Sequence, residues 1–142
     1  MNRTHSHYGT AMLLKALREG LGRLIVFVDF LTRPKPVQRP AEEQRAAEAA
    51  AAGLSLYQFY ACPFCVRTRR AIHRLALPIE YRDAQHPGPY RTELEQAGGK
   101  VQVPCLRIEE GGEVRWLYES DAIIAYLEQR FDPQRDTADA AA

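Results

Sequence analysis

Leu54-Ser55-Leu56-Tyr57-Gln58-Phe59-Tyr60 runs into Ala61-Cys62-Pro63-Phe64-Cys65, and that junction decides how the chain is read. An apolar run with strand character gives way to a helical pattern, so both cysteines fall where a strand turns into a helix. A Cys-x-x-Cys pair in that setting reads as a redox dithiol rather than half of a zinc site. Cys62 falls at the helix N-terminus, where unpaired backbone N–H groups and the positive end of the macrodipole favour thiolate over thiol, which makes it the nucleophile. Pro63 suits the first turn because its missing N–H would have found no partner there. Cys65, one turn on, is the more buried, resolving thiol. The competing reading makes both cysteines small apolar core residues. Zinc fits poorly, because a closed site needs four ligands and the chain adds only Cys105 and the scattered His5, His7, His73 and His86.

Downstream, residues 54–132 read as a compact α/β unit. A helix over 63–76 turns Val66, Ile72 and Leu75 inward. Its Arg67, Arg70 and Arg74 share an outer face that reads as solvated, with Arg67 set apart as the cation nearest the dithiol and able to meet a carboxylate. A short strand over 78–83, a loop at 86–89 and a short helix over 90–97 ended by Gly98-Gly99 follow. Pro104 begins an apolar strand, where a proline is tolerated. Gly111-Gly112 joins that strand to residues 113–118 as a hairpin. Ser120 is expected to cap a last helix over 121–131 with Ile123, Ile124, Tyr126 and Leu127 inward. Residues 133–142 read as a disordered tail. Cys105, directly after Pro104, is either core or a third redox thiol.

Upstream, residues 1–33 hold an amphipathic helix. Over 11–31, Lys15, Arg18, Glu19, Arg23 and Asp29 fall in one arc and Leu13, Leu14, Leu17, Leu21, Leu24, Ile25 and Val28 in the opposite one. Five charges argue against a membrane span of about 20 apolar residues. An interfacial helix with basic flanks fits better, and packing on its own domain or on a second chain is the alternative. Residues 1–10 read as a frayed end. Pro34, Pro36 and Pro40 break the helix, and the Ala-rich run over 41–52 reads as a helical linker, solvated on most sides, that holds residues 54–132 at a distance from the first helix.

Charge is nearly balanced, 19 basic side chains against 18 acidic, which gives no case for nucleic acid as a partner. The basic excess lies in residues 1–53. No cleavable signal is evident, and three cysteines without an export signal point to a reducing, cytoplasmic location, at the inner face of a membrane if the first helix binds lipid.

The element order strand, helix, strand, helix, strand, strand, helix resembles the thioredoxin fold, and three motifs in register make the resemblance specific. Cys62-Pro63-Phe64-Cys65 resembles the dithiol of glutaredoxins, Val103-Pro104 their cis-proline loop, and Tyr118-Glu119-Ser120-Asp121 the γ-glutamyl site of glutaredoxins and of glutathione-transferase N-terminal domains. The resemblance covers residues 54–132. It implies a four-stranded mixed sheet with flanking helices, preceded here by the amphipathic helix and helical spacer. It implies glutathione as co-substrate, with Cys62 and Cys65 catalytic and Arg67, Val103, Pro104, Glu119, Ser120 and Asp121 binding glutathione. The backbone of Val103 would pair with the cysteinyl residue as a short added strand. The N–H groups of Ser120 and Asp121 would take the γ-glutamyl carboxylate and an acidic side chain its amino group, although ordinary N-capping explains the same residue types. Two features depart from the family. Gln58 stands where many glutaredoxins carry a lysine for the glycyl carboxylate, leaving Arg67 or Lys100 to substitute. The all-helical second domain of the transferases is missing, so no dedicated electrophile pocket is expected.

The reading is a glutathione-dependent thiol–disulfide oxidoreductase that reduces glutathionylated and disulfide-bonded proteins. The alternatives are a glutathione-dependent transferase or isomerase at a membrane, and a carrier in which two chains share a [2Fe-2S] cluster through Cys62 and glutathione. No resident metal is expected.

Overall fold

Leu54, Ser55, Leu56 and Tyr57 are all buried in the strand β1 (Leu54–Gln58), which therefore needs cover on both faces. A computed structural model of the protein describes residues 6–135, with side chains from residue 9 onward, and supplies that cover. Upstream lie the helices α1 (Ser6–Leu31) and α2 (Ala41–Ala51). Downstream the order is α3 (Pro63–Arg74), β2 (Glu80–Asp83), α4 (Pro89–Gln96), β3 (Cys105–Glu110), β4 (Glu113–Tyr118) and α5 (Ser120–Phe131). The sheet runs β2-β1-β3-β4. β1 is parallel to β2 and antiparallel to β3, and β3 is antiparallel to β4. This is the four-stranded mixed sheet with flanking helices expected of a thioredoxin-like α/β fold.

One face of the sheet holds Leu54, Leu56, Leu106 and Ile108 against Ile72 and Leu75 of α3 and Ile123, Leu127 and Phe131 of α5. The other holds Tyr57 and Cys105 against Leu94 of α4. Each fully buried leucine contributes about 1.5–3 kcal/mol, so β1 and the helices on it form the most stable part of the molecule.

Three expectations need correction. The Ala-rich helix is solvated on most sides, as expected, but it is no free spacer: Ala51 is buried and Ala47 and Ala50 pack on the first cluster. The small alanine side chains let one edge of α2 rest on that cluster. Hydrogen bonds tie the same region down, with Arg39 donating to the Phe131 carbonyl and Gln44 to the Ala76 carbonyl. The amphipathic helix is not held away either, since α1 packs on α3. Lastly, α1 begins five residues earlier than residue 11. His5, the side chain of His7 and residues 136–142, for which fraying and disorder are expected, lie outside what the structure describes.

The orientation of α1 is opposite to the usual one. Lys15, Arg18, Gly22, Val26 and Asp29 form one helical stripe. Lys15, Arg18, Gly22 and Val26 face the dithiol turn across a cavity, and Asp29 is buried against α3. Met12, Leu13, Leu14, Leu17, Leu21, Leu24, Phe27 and Leu31 are exposed. The polar side meets the protein and the apolar side meets solvent. None of the described helices is long and apolar enough to cross a membrane.

The outer face of α3 is not merely solvated. Arg67 pairs with Asp121, Arg70 with Asp29, and Arg74 with Glu128 and Asp132, so the three arginines bind α3 to both ends of α5 and to α1.

Candidate functional site

Cys62 occupies the N-cap of α3 with extended backbone, Pro63 takes the first helical position, and no side chain caps this helix end. Its thiol is partly exposed, whereas Cys65 is fully buried one turn on. Burial pushes the Cys65 thiol up to about 12. The neighbouring Cys62 pushes it the same way, and the backbone N–H of Phe59 and the Arg69 guanidinium only partly offset this. The arrangement offers one accessible sulfur at a helix N-terminus and one protonated sulfur beneath it.

Around this pair the structure brings several of the expected residues together. The Val103–Pro104 peptide is cis. Gln102, just before it, donates through Nε2 to Glu119 Oε1 at 3.0 Å, which links the proline loop to the start of α5. Arg67 Nη1 lies 2.5 Å from Asp121 Oδ1, which links the dithiol helix to the same place. Ser120 is the first residue of α5 rather than its cap, a correction to the expected boundary. Glu119 holds the N-cap position at φ 73°, left-handed backbone uncommon outside glycine, and no side chain caps the first-turn N–H groups. The helix end is thus open to an anion.

Gln58, in place of the family's lysine, accepts a hydrogen bond from Arg69, which also donates to the Tyr60 carbonyl. Lys100 lies over the Tyr118 ring, 4.6 Å from its centroid. Cys105 is fully buried beside Tyr57 and Leu94, and burial pushes its thiol up to about 12. Among the described residues, no group of three or more His, Cys, Asp or Glu side chains is placed to hold a metal.

Sequence reasoning missed the contribution of α1. Lys15, Arg18, Gly22 and Val26 face Phe59, Tyr60, Ala61 and Cys62 across a cavity of about 670 Å³. A signal was present. Gly20 and Gly22 cost helix stability, and a Cβ on Gly22 would stand 3.1 Å from the Ala61 Cβ, so a glycine here permits close approach.

The buried acids carry a pH prediction. Cys65, Cys105, Tyr57 and Tyr118 are all raised to about 12, with burial the largest cause in each. In the unfolded chain thiols and phenols ionise at their ordinary values of about 9 and 10, so at higher pH the unfolded chain has lost protons that the folded chain keeps. Stability is therefore fully present below about pH 9 and falls as pH rises toward 12. The urea midpoint should be flat just above neutrality and decline beyond about pH 9, less steeply in Cys105→Ala. A midpoint indifferent to pH across that window contradicts the burial argument.

Residues 56–135 match the family model described as glutathione S-transferase, N-terminal domain. No curated protein matches the chain. Among solved structures it is similar to maleylacetoacetate isomerase from Anaeromyxobacter dehalogenans 2CP-1. With dicarboxyethyl glutathione and citrate bound in the active site of that enzyme, identity is 30% and the TM-score 0.45, over 56% of this chain and 38% of the other. With glutathione bound there, identity is 29% and the TM-score 0.45 over the same shares. The chain thus spans well under half of the isomerase it matches.

Proposed function

We propose, from the premise that this chain belongs to the glutathione S-transferase N-terminal domain family, that it is a glutathione-dependent thiol–disulfide oxidoreductase of the glutaredoxin kind. The observation that carries this is the dithiol itself: a partly exposed Cys62 at the open N-terminus of α3 over a fully buried Cys65. In the first step the Cys62 thiolate attacks the glutathionyl sulfur of a protein mixed disulfide. The Cys62–glutathione disulfide forms, the original S–S bond breaks, and the protein thiolate leaves and takes a proton from water. A second glutathione thiolate then attacks the bound glutathionyl sulfur, releasing glutathione disulfide and restoring Cys62. On protein disulfides Cys65 resolves the intermediate, its proton passing to the departing thiolate.

In this reading the Val103 backbone, beside Pro104, pairs with the cysteinyl residue of glutathione. The N–H groups of Ser120 and Asp121 hold the γ-glutamyl carboxylate, and Glu119 takes the amino group. Arg67 exchanges Asp121 for the glycyl carboxylate. The test is reduction of a glutathione mixed disulfide coupled to glutathione reductase. Turnover supports the reading. Glutathione binding without turnover favours the second reading, a transferase or isomerase using bound glutathione, which the family match makes the natural alternative.

The exposed apolar side of α1 is assigned to an anionic lipid surface, with the helix lying in the interface and the catalytic unit on its polar side. Residues 1–53 carry eight Lys/Arg against five Asp/Glu, a charge that suits anionic headgroups. Full-length protein should sediment with anionic vesicles, and Leu17→Glu with Leu24→Glu should reduce the bound fraction by about tenfold or more, since each charge enters an apolar face. Unchanged sedimentation, or a dimer that the double variant dissolves, would reject lipid as the occupant.

A further inference from the structure

The cavity between α1 and the dithiol turn belongs to neither the glutathione contacts proposed above nor the sheet. Its volume, about 670 Å³, is that of a small-molecule site and too small for a protein surface. Val26, Phe59 and Tyr60 give it apolar wall, and Lys15, Arg18 and Arg23 outnumber its one carboxylate, Glu19. None of those three cations is held in an ion pair among the described residues. Cys62 and Pro63 line it, whereas Val103, Pro104, Glu119, Ser120 and Asp121 do not. The cavity and the glutathione contacts therefore share Cys62 and approach it from different sides.

We propose that this cavity binds the second substrate, a small anionic disulfide with an aromatic or apolar body, and presents it to Cys62. The proposal rests on Cys62 being the nucleophile of the reading above. α1 forms one wall of the site by turning its polar stripe inward. Gly22 sets the depth of the cavity, because any side chain there meets Ala61. The cationic rim selects charge, and the aromatic wall selects a flat body. In the step itself the Cys62 thiolate attacks one sulfur of the bound disulfide, the Cys62–S bond forms and the substrate S–S bond breaks. The departing thiolate takes the electron pair and then a proton from water. One glutathione thiolate then attacks the Cys62 sulfur, so that the bound half of the substrate leaves as its thiol, and a second attacks the resulting Cys62–glutathione disulfide, restoring Cys62 and leaving as glutathione disulfide.

The test is the second-order rate of Cys62 with two aromatic disulfides, dianionic dithiobis(nitrobenzoate) and neutral dithiodipyridine, in full-length protein carrying Cys65→Ser so that one thiol reacts. Lys15→Glu with Arg18→Glu should slow the anionic reagent about tenfold and leave the neutral one within about twofold, the scale expected of local charge steering. Arg45→Glu, on α2, should change neither. Gly22→Phe should slow both aromatic reagents and spare hydroxyethyl disulfide, which needs no aromatic wall. Equal effects of charge reversal on both reagents, or no effect, would overturn the proposal, and so would Gly22→Phe slowing all three alike. Turnover of the glutathione mixed disulfide is read separately. A charge effect without turnover rejects only the glutathione reading, and turnover without a charge effect rejects only the cavity's role.

Discussion

Cys62→Ser should bring reduction of a glutathione mixed disulfide to background, a loss on the order of a thousandfold or more, as expected when the attacking atom itself is removed. A serine hydroxyl stays protonated at neutral pH and is a poor nucleophile without an adjacent base. Cys65 cannot take over. It is fully buried, and burial pushes its thiol up to about 12, so it stays protonated at neutral pH. Cys65→Ser should retain activity on the glutathione mixed disulfide within about threefold, because both exchanges of that route occur at Cys62, while reduction of a protein disulfide is lost. The pair of variants separates three outcomes in one assay. Activity that survives in Cys62→Ser would remove Cys62 as nucleophile, and with it the functional reading. Equal loss in both variants would mean that the dithiol acts only as a unit.

The parts legible in the sequence are those in which neighbouring residues determine their own geometry. Cys62-Pro63-Phe64-Cys65 after an apolar strand predicts an N-capping cysteine and a buried partner one turn later, and both are found. Val103-Pro104 is expected to be cis and is. The start of α5 is placed to within one residue. What is not legible depends on partners far along the chain. The moment of α1 gives the apolar arc correctly but not its direction. The usual inference, apolar side inward, fails because Asp29 meets Arg70 and Gly22 meets Ala61, contacts across about 40 residues. For α2, a lack of bulky side chains suggests solvation, which holds for most of its surface, but the edge with Ala47, Ala50 and Ala51 rests on the core cluster. Arg70 and Arg74 look like a solvated face until α1 and α5 supply their carboxylates. The cavity beside Cys62 is the clearest consequence, since one of its walls depends on where α1 docks.

Arg70→Ala should therefore release α1 from the domain. Among the described side chains of that helix Asp29 is the one buried charge, only 5% exposed, and Arg70 holds it at 3.1 Å. The same guanidinium donates to the Thr32 carbonyl and to the Thr32 hydroxyl, so it also binds the C-terminal end of α1, where a cation opposes the negative end of the helix dipole. Removing one partner of a buried pair typically costs about 3–5 kcal/mol, because the remaining charge is left without compensation. Arg33 stays within 3.5 Å of Asp29, so the loss should fall at or below the lower end, about 2–3 kcal/mol. Beyond that pair, α1 rests on its half-buried Ile25 and Val26 and on Gly22 against Ala61. The domain core, built on β1, α3 and α5, does not need Arg70 and should remain folded. Amide exchange should accelerate across residues 12–31 by about thirtyfold or more, with protection of β1 and α5 unchanged. Trypsin should cut at Arg23 in the variant well before it cuts the wild type. Asp29→Asn with Arg70 intact leaves no buried charge and should loosen α1 far less. Exchange in α1 that is indifferent to Arg70 would mean that the helix is held by something other than this pair, and the cavity beside Cys62 would then owe its shape to Gly22 and the apolar residues around it.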